Sequence, residues 1–195
     1  MNNIKREVKD KINKYSNEQY LNGYIKNEFL TDSGDANIYI KLEDKNELFD
    51  KRTVGKQLDL NYKIYKYIDN KSSMLRNDVQ INFHILGLEL DQSEKEQTKH
   101  LIKEHYAIEL YKIQKQYKRH TSKIFKLLLM GIIFVLLYIL FTSYLKLDVF
   151  EEVFIFLFSF SIWEALDCLI YFLSDLKLNR EAVTQKLLID VIFDK

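Results

Sequence analysis

The chain has 195 residues, with 29 Lys and Arg against 28 Asp and Glu, so its net charge is +1, and it contains one cysteine, five glycines and no proline. This balance leaves no global basic excess for wrapping duplex DNA or RNA, and the lone Cys168 excludes an internal disulfide and argues against a cysteine-based metal site. A mean hydropathy of −0.24 resembles that of a soluble domain, but it averages a charge-rich stretch, 1–126, with an almost uncharged one, 127–173.

The first sixteen residues, MNNIKREVKDKINKYS, are charged and lack the apolar core of a cleaved secretory signal. Glu18 to Leu30 reads as a helix carrying Tyr20, Leu21, Tyr24, Ile25 and Phe29. Ala36 to Leu42 (ANIYIKL) and Val79 to Ile85 (VQINFHI) alternate apolar and polar residues, as half-buried strands do. Between them, Lys51, Arg52, Gly55 and Lys56 form a basic turn. Lys51, Arg52 and Lys56 are the candidate ligand-binding cations there, with a solvated loop as the alternative. Leu58 to Ile68 then places Leu60, Ile64 and Ile68 on one helical face.

Ser93 opens a helix with a capping box, Ser93-x-x-Glu96, and nothing stops that helix before residue 126. Tyr106, Leu110, Ile113, Tyr117, His120 and Ile124 recur at spacings of four and three. This is the seam of a stalk, or of one amphipathic helix packed on its own domain. His100 and His105 are five apart on different faces, so with Glu104 they make a poor metal site, and no metal is expected.

Leu127 to Leu145 is 19 residues without a charge, enough at about 1.5 Å per residue to cross a hydrocarbon core of about 30 Å. Val153 to Leu173 is the second expected span. Its thirteen Val, Ile, Leu and Phe residues favour insertion by roughly 6 kcal/mol, which two central acids, Glu164 and Asp167, nearly cancel. Lys112, Lys115, Lys118, Arg119, Lys123 and Lys126 precede the first span, and Lys177, Arg180 and Lys186 follow the second. The connector KLDVFEE has one Lys and three acids. The positive-inside rule therefore puts both termini in the cytoplasm.

Glu164 and Asp167 share a helix face with Ser161, Cys168 and Tyr171. Acids within a span mark an ion path or an interhelical contact, so these five are the candidate pore-lining residues. The structural alternative is a protonated carboxyl bonded to Tyr138. Glu151 and Glu152 open the second helix, where they complement its dipole or form an outer vestibule. The tail, after a helical NREAVTQK, ends in the apolar, β-branched Leu188 to Phe193, which is expected to return to the N-terminal sheet.

The expected fold is therefore a membrane α+β protein. It has a cytosolic α+β domain over 1–92, a helical stalk over 93–126, a transmembrane hairpin over 127–173 and a cytosolic tail helix and strand over 174–195. No phosphate loop or nucleophile elbow occurs, so neither an enzyme nor a cofactor is expected.

The runs WEALDCLIYFL (163–173) and LNYKIYKYIDNKSSML (60–75), with the final apolar strand, resemble bacterial two-transmembrane-helix proteins with a cytosolic α+β domain. Those are similar to membrane effectors of anti-phage defence systems of the CBASS-like or Hailong type. The resemblance implies an oligomeric pore or ion channel in the bacterial inner membrane. Its cytosolic domain would answer a nucleotide or oligonucleotide ligand, or a nucleotidyltransferase partner. A membrane-anchored scaffold or immunity subunit that tethers a cytosolic partner is the alternative. Membrane lipid and further copies of the chain are the expected partners, and duplex nucleic acid is not.

Overall fold

A computed structural model of the chain describes residues 23–26, 28–53, 55, 58–144 and 151–194, apart from the side chains of Tyr144 and Glu151. Residues 23–26 are helical; the rest of the expected N-terminal helix lies mostly outside the described residues, as do Lys56 and the connector 146–150. Two compact units form. One joins the described residues up to Ala107 to those from Thr184 on, and the other runs from Ile108 to Val183.

The first unit is built on three strands, β1 (Ala36–Lys41), β2 (Ile81–Leu86) and β3 (Asp190–Asp194), in the order β1-β2-β3. The two sequence-predicted strands and the returning tail strand are thus all present, shifted by no more than two residues at either end. Both pairings are parallel, with Ile38 opposite Phe83 and Phe83 opposite Val191. A parallel pair needs a crossover. Between β1 and β2 it is supplied by α1 (Lys45–Leu48) and α2 (Tyr62–Ser72).

Alternation along each strand sends Ala36, Ile38, Ile81, Phe83, Ile85 and Val191 into the core. α2 starts where the Asn61 side chain accepts from the Lys63 N–H, and it lays Ile64, Tyr65 and Ile68 against that face, with Leu60 beside them. Each such fully buried aliphatic or aromatic side chain contributes about 1.5–3 kcal/mol. Tyr65 also donates to Asp59 Oδ1 at 2.6 Å; burial first, and that bond second, push its phenol far above the usual range.

α3 (Gln92–Ile139) brings Thr98, Ile102 and Tyr106 to the same core. Its cap lies two residues earlier than the expected Ser93–Glu96 box. Asp91 Oδ1 accepts from the Glu94 N–H at 2.8 Å, and Glu94 Oε2 accepts from the Asp91 N–H at 2.9 Å. Glu94 gains further from Lys45, whose ammonium donates to both carboxylate oxygens at 2.6 and 2.7 Å. Asp91 is the residue that precedes the first helical residue, Gln92, and so stands where a cap belongs. Gly87 has φ +84°, and a Cβ there would lie 2.6 Å from the Leu42 carbonyl oxygen, so only glycine fits.

The tail is tied down by side chains that no local pattern exposes. Gln185, buried on α5 (Leu173–Leu187), donates to the Arg76 and Val79 carbonyls, each at 2.7 Å. Lys186 donates to Asp69 at 2.6 Å and lies over the Tyr106 ring. These contacts set the register in which β3 meets β2.

In the second unit, α3 continues to Ile139 and ends in a π-helical turn, Leu140–Tyr144; α4 (Glu151–Asp167) follows and leads through a second π turn, Cys168–Phe172, into α5. The two helices run antiparallel. Phe141 meets Phe154 at 5.3 Å between ring centroids at one end, and His120 stacks on Phe172 at 5.0 Å at the other. Gly131 sets the middle: a Cβ there would sit 3.6 Å from Phe158 and Ile162 and 3.8 Å from Ser161. Of the seam expected along α3, Ile124 is buried and Leu110, Ile113 and His120 are half-buried, while Tyr117 is exposed.

Both helices are long and apolar enough to cross a membrane, and only 6% and 17% of their most apolar stretches are buried. Outward-facing Ile132, Leu136, Phe156, Phe160 and Trp163 are each more than half exposed. An apolar surface this large has no counterpart on an ordinary monomer in water.

Candidate functional site

The five candidate pore residues do not share one environment. Ser161 is fully buried where α4 crosses Gly131, and its hydroxyl donates to the Leu157 carbonyl at 2.8 Å. Cys168 is also buried, in a small cluster with Ile124 and Ala165, its sulfur 3.5 Å from His120 Nδ1. The π turn that begins at Cys168 lets Cys168 and Phe172 both reach His120. Glu164 is half-buried and accepts from Lys123 Nζ at 2.6 Å; Lys123, not Tyr138, is its partner. Asp167 is half-buried and Tyr171 is 64% exposed.

The same pair fixes the level of Glu164 along α3. Glu164 lies level with Lys123, four residues before the apolar run begins at Leu127, and so at the end of the hairpin rather than at its middle. An acid with a cation at that level imposes far less on insertion than a bare one at the centre of a span. Glu152 is exposed in the first turn of α4, and the Glu151 side chain is outside the described residues.

In the basic turn, Arg52 is engaged locally. Asp50 accepts from the Arg52 backbone at 3.0 Å and from its guanidinium at 3.2 and 3.3 Å, which holds the Asp50 carboxyl below and the guanidinium above their ordinary ranges. Lys51 is exposed beside it. Of the histidines singled out, His100 lies 3.6 Å from Glu104, one turn away, and His105 stacks on Tyr65 at 3.8 Å. Among the described residues, no three His, Cys, Asp or Glu side chains gather as a metal site.

A different group of polar residues collects on the sheet. The face opposite the core carries Asn37 and Tyr39 from β1, Asn82 and His84 from β2, and Asp190 and Asp194 from β3. Asn82 donates to Asn37, which donates to the Tyr39 hydroxyl, both at 3.1 Å. Tyr39 stacks on His84 with centroids 4.6 Å apart and leaves half its surface exposed. His84 Nδ1 lies 2.6 Å from Asp194 Oδ2, while its Nε2 is buried and has no hydrogen-bond partner among the described residues. An ionised carboxylate can only accept, so the proton between them sits on Nδ1.

Beside this dyad, at the carboxyl ends of β2 and β3, lies a crevice of about 470 Å³ lined by Gly87, Leu88, Glu89, Leu90, Lys95, Phe193 and Asp194. Lys95 holds its ammonium 5.7 Å from the centre of the Phe193 ring. Crevices at the carboxyl ends of parallel strands are where open sheets bind ligands. Its lining carries one cation, Lys95, two carboxylates, Glu89 and Asp194, and the Phe193 ring. Reading both faces of VQINFHI, and not only its apolar one, is the sequence signal that finds His84. Nothing local announces Asp194 as its partner.

Comparison of the chain with protein-family models, curated proteins and solved structures finds no match.

Proposed function

We propose that this protein is a signal-controlled membrane protein of the bacterial inner membrane, with both termini cytoplasmic and α3 and α4 crossing the bilayer. Its sheet unit binds a ligand at the carboxyl edge of β2 and β3, and copies of the hairpin assemble into an ion-conducting pore. The observation that carries this reading is the make-up of the crevice. Its wall is the segment 87–90 that leads into α3 together with Lys95 in the first turn, and α3 is the helix whose residues from Leu127 on are the first proposed span. A ligand that moves this wall acts on the root of a spanning helix.

The likeness of the chain's size and layout to anti-phage membrane effectors supports a nucleotide or oligonucleotide as that ligand and defence as the setting. The test is ion flux from proteoliposomes challenged with cyclic and linear oligonucleotides. The reading expects a nucleotide-dependent flux that Lys95→Ala and His84→Ala weaken and that Glu181→Gln, exposed and outside the crevice, leaves responsive. Absence of flux under every nucleotide refutes it.

The Lys123–Glu164 pair favours a second reading, a membrane-anchored scaffold or immunity subunit. A hairpin that neutralises its own acid needs no neighbouring copy to remain in lipid. Exchanging residues 127–173 for an unrelated two-span anchor separates the readings: a scaffold keeps its cellular activity and a pore loses it.

A further inference from the structure

The groove on α3 at the start of its apolar run changes character along its length. It encloses about 700 Å³ and is lined by Arg119, Ser122, Lys123 and Lys126 at one end and by Leu127 and Met130 at the other. Arg119, Ser122, Lys126 and Met130 follow one another at spacings of three, four and four, so they form a single stripe down the helix. Lys123 is engaged by Glu164, whereas Arg119 and Lys126 are exposed and make no ion pair among the described residues. Along the same stripe the surface beyond Lys126 is apolar and open, with Met130 43% and Ile133 46% exposed.

We propose that this groove binds an anionic phospholipid, its phosphate held between Arg119 and Lys126 and its acyl chains laid along Leu127, Met130 and Ile133. The inference rests on the membrane reading above. A guanidinium offers a fork of donors matched to phosphate oxygens, the lysine adds a point charge, and the Ser122 hydroxyl supplies one more donor between them. Free phosphate would use the same donors. The lipid is the occupant because the cations pass directly into exposed apolar surface that a free anion leaves uncovered. Basic residues immediately cytoplasmic of a spanning helix are where anionic headgroups are drawn.

The full chain is reconstituted in bilayers of equal phosphatidylcholine and phosphatidylglycerol, and the lipids retained on release are counted by native mass spectrometry. In parallel, quenching of Trp163, the one tryptophan in the chain and 72% exposed, by dibrominated phosphatidylcholine reports whether the hairpin lies in lipid at all. The site expects phosphatidylglycerol retained over phosphatidylcholine by about fivefold or more. That preference falls to near the bulk ratio in the double variant Arg119→Gln with Lys126→Gln. It persists in Lys112→Gln with Lys115→Gln, which removes the same charge farther from the apolar run, and it persists in excess inorganic phosphate. Equal retention of the two lipids, equal loss in both double variants, or displacement by phosphate overturns the lipid site while Trp163 quenching upholds the membrane reading. Absence of quenching overturns the membrane reading and the lipid site with it.

Discussion

Replacing Gln185 by alanine tests whether the tail is a structural part of the sheet unit. The side chain is 7% exposed, and its amide nitrogen donates to the Arg76 and Val79 carbonyls at 2.7 Å each. Arg76 O keeps a second donor, the Val79 N–H at 3.2 Å, but Val79 O has no other donor among the described hydrogen bonds. Each lost bond costs about 0.5–1.5 kcal/mol, and the Val79 carbonyl, on a half-buried residue, is left to water. The substitution therefore destabilises the unit by about 1–3 kcal/mol, or roughly 10 °C in melting temperature for a domain of this size. Hydrogen exchange should show the loss first at the β3 amides, since Gln185 fixes the helix end from which β3 departs. Glu181→Ala, an exposed change one turn earlier, is the control and should stay within about 0.5 kcal/mol. If Gln185→Ala matches that control and β3 protection is unchanged, the tail is not held as described.

Gly87→Ala forces a Cβ to within 2.6 Å of the Leu42 carbonyl at a positive φ, and should cost at least about 1–3 kcal/mol in denaturant unfolding. At Gly131 the outcome depends on size. Alanine meets its neighbours at ordinary contact distance, whereas Gly131→Leu overpacks the hairpin by about 1–3 kcal/mol, read as a raised rate of hydrogen exchange around Ser161. Glu94 supplies a pH dependence. Its bond to Lys45 first, and the Asp91 N–H second, hold its carboxyl below the ordinary value of 4.5. The stabilisation is thus complete above that value and is lost as pH falls through the lowered one. Glu94→Gln should flatten this acid limb of a stability–pH curve, and an unaltered limb contradicts the assignment.

The strands and the inner face of α2 were legible because period-2 alternation and the recurrence of Leu60, Ile64 and Ile68 are local signals. The returning strand was legible for the same reason: LIDVIF is β-branched and apolar in a short run. Strand direction was not, because parallel pairing depends on where the crossover helices pack. Two overlapping capping boxes, Asp91–Glu94 and Ser93–Glu96, fit the sequence equally well, and the one that forms uses the Glu94 carboxylate that Lys45, 49 residues away, also holds. For the acids of the second span, the sequence showed the residues but not their level. A partner 41 residues away, Lys123, becomes visible only once Gly131 has fixed how the helices slide. His84 and Asp194 meet across neighbouring strands 110 residues apart in the chain, a distance over which no sequence pattern carries.

Two-span insertion underlies both the pore and the scaffold readings, and single-cysteine labelling in cells measures it. In a Cys168→Ser background, cysteines are introduced one at a time as Asn3→Cys, Asp148→Cys and Lys195→Cys, and intact cells with a permeabilised outer layer receive a membrane-impermeant maleimide. The proposed topology predicts labelling of the Asp148→Cys variant alone, with the other two reacting only after the inner membrane is broken. Equal labelling of all three, or protection of the Asp148→Cys variant in intact cells, would contradict a hairpin with both ends in the cytoplasm.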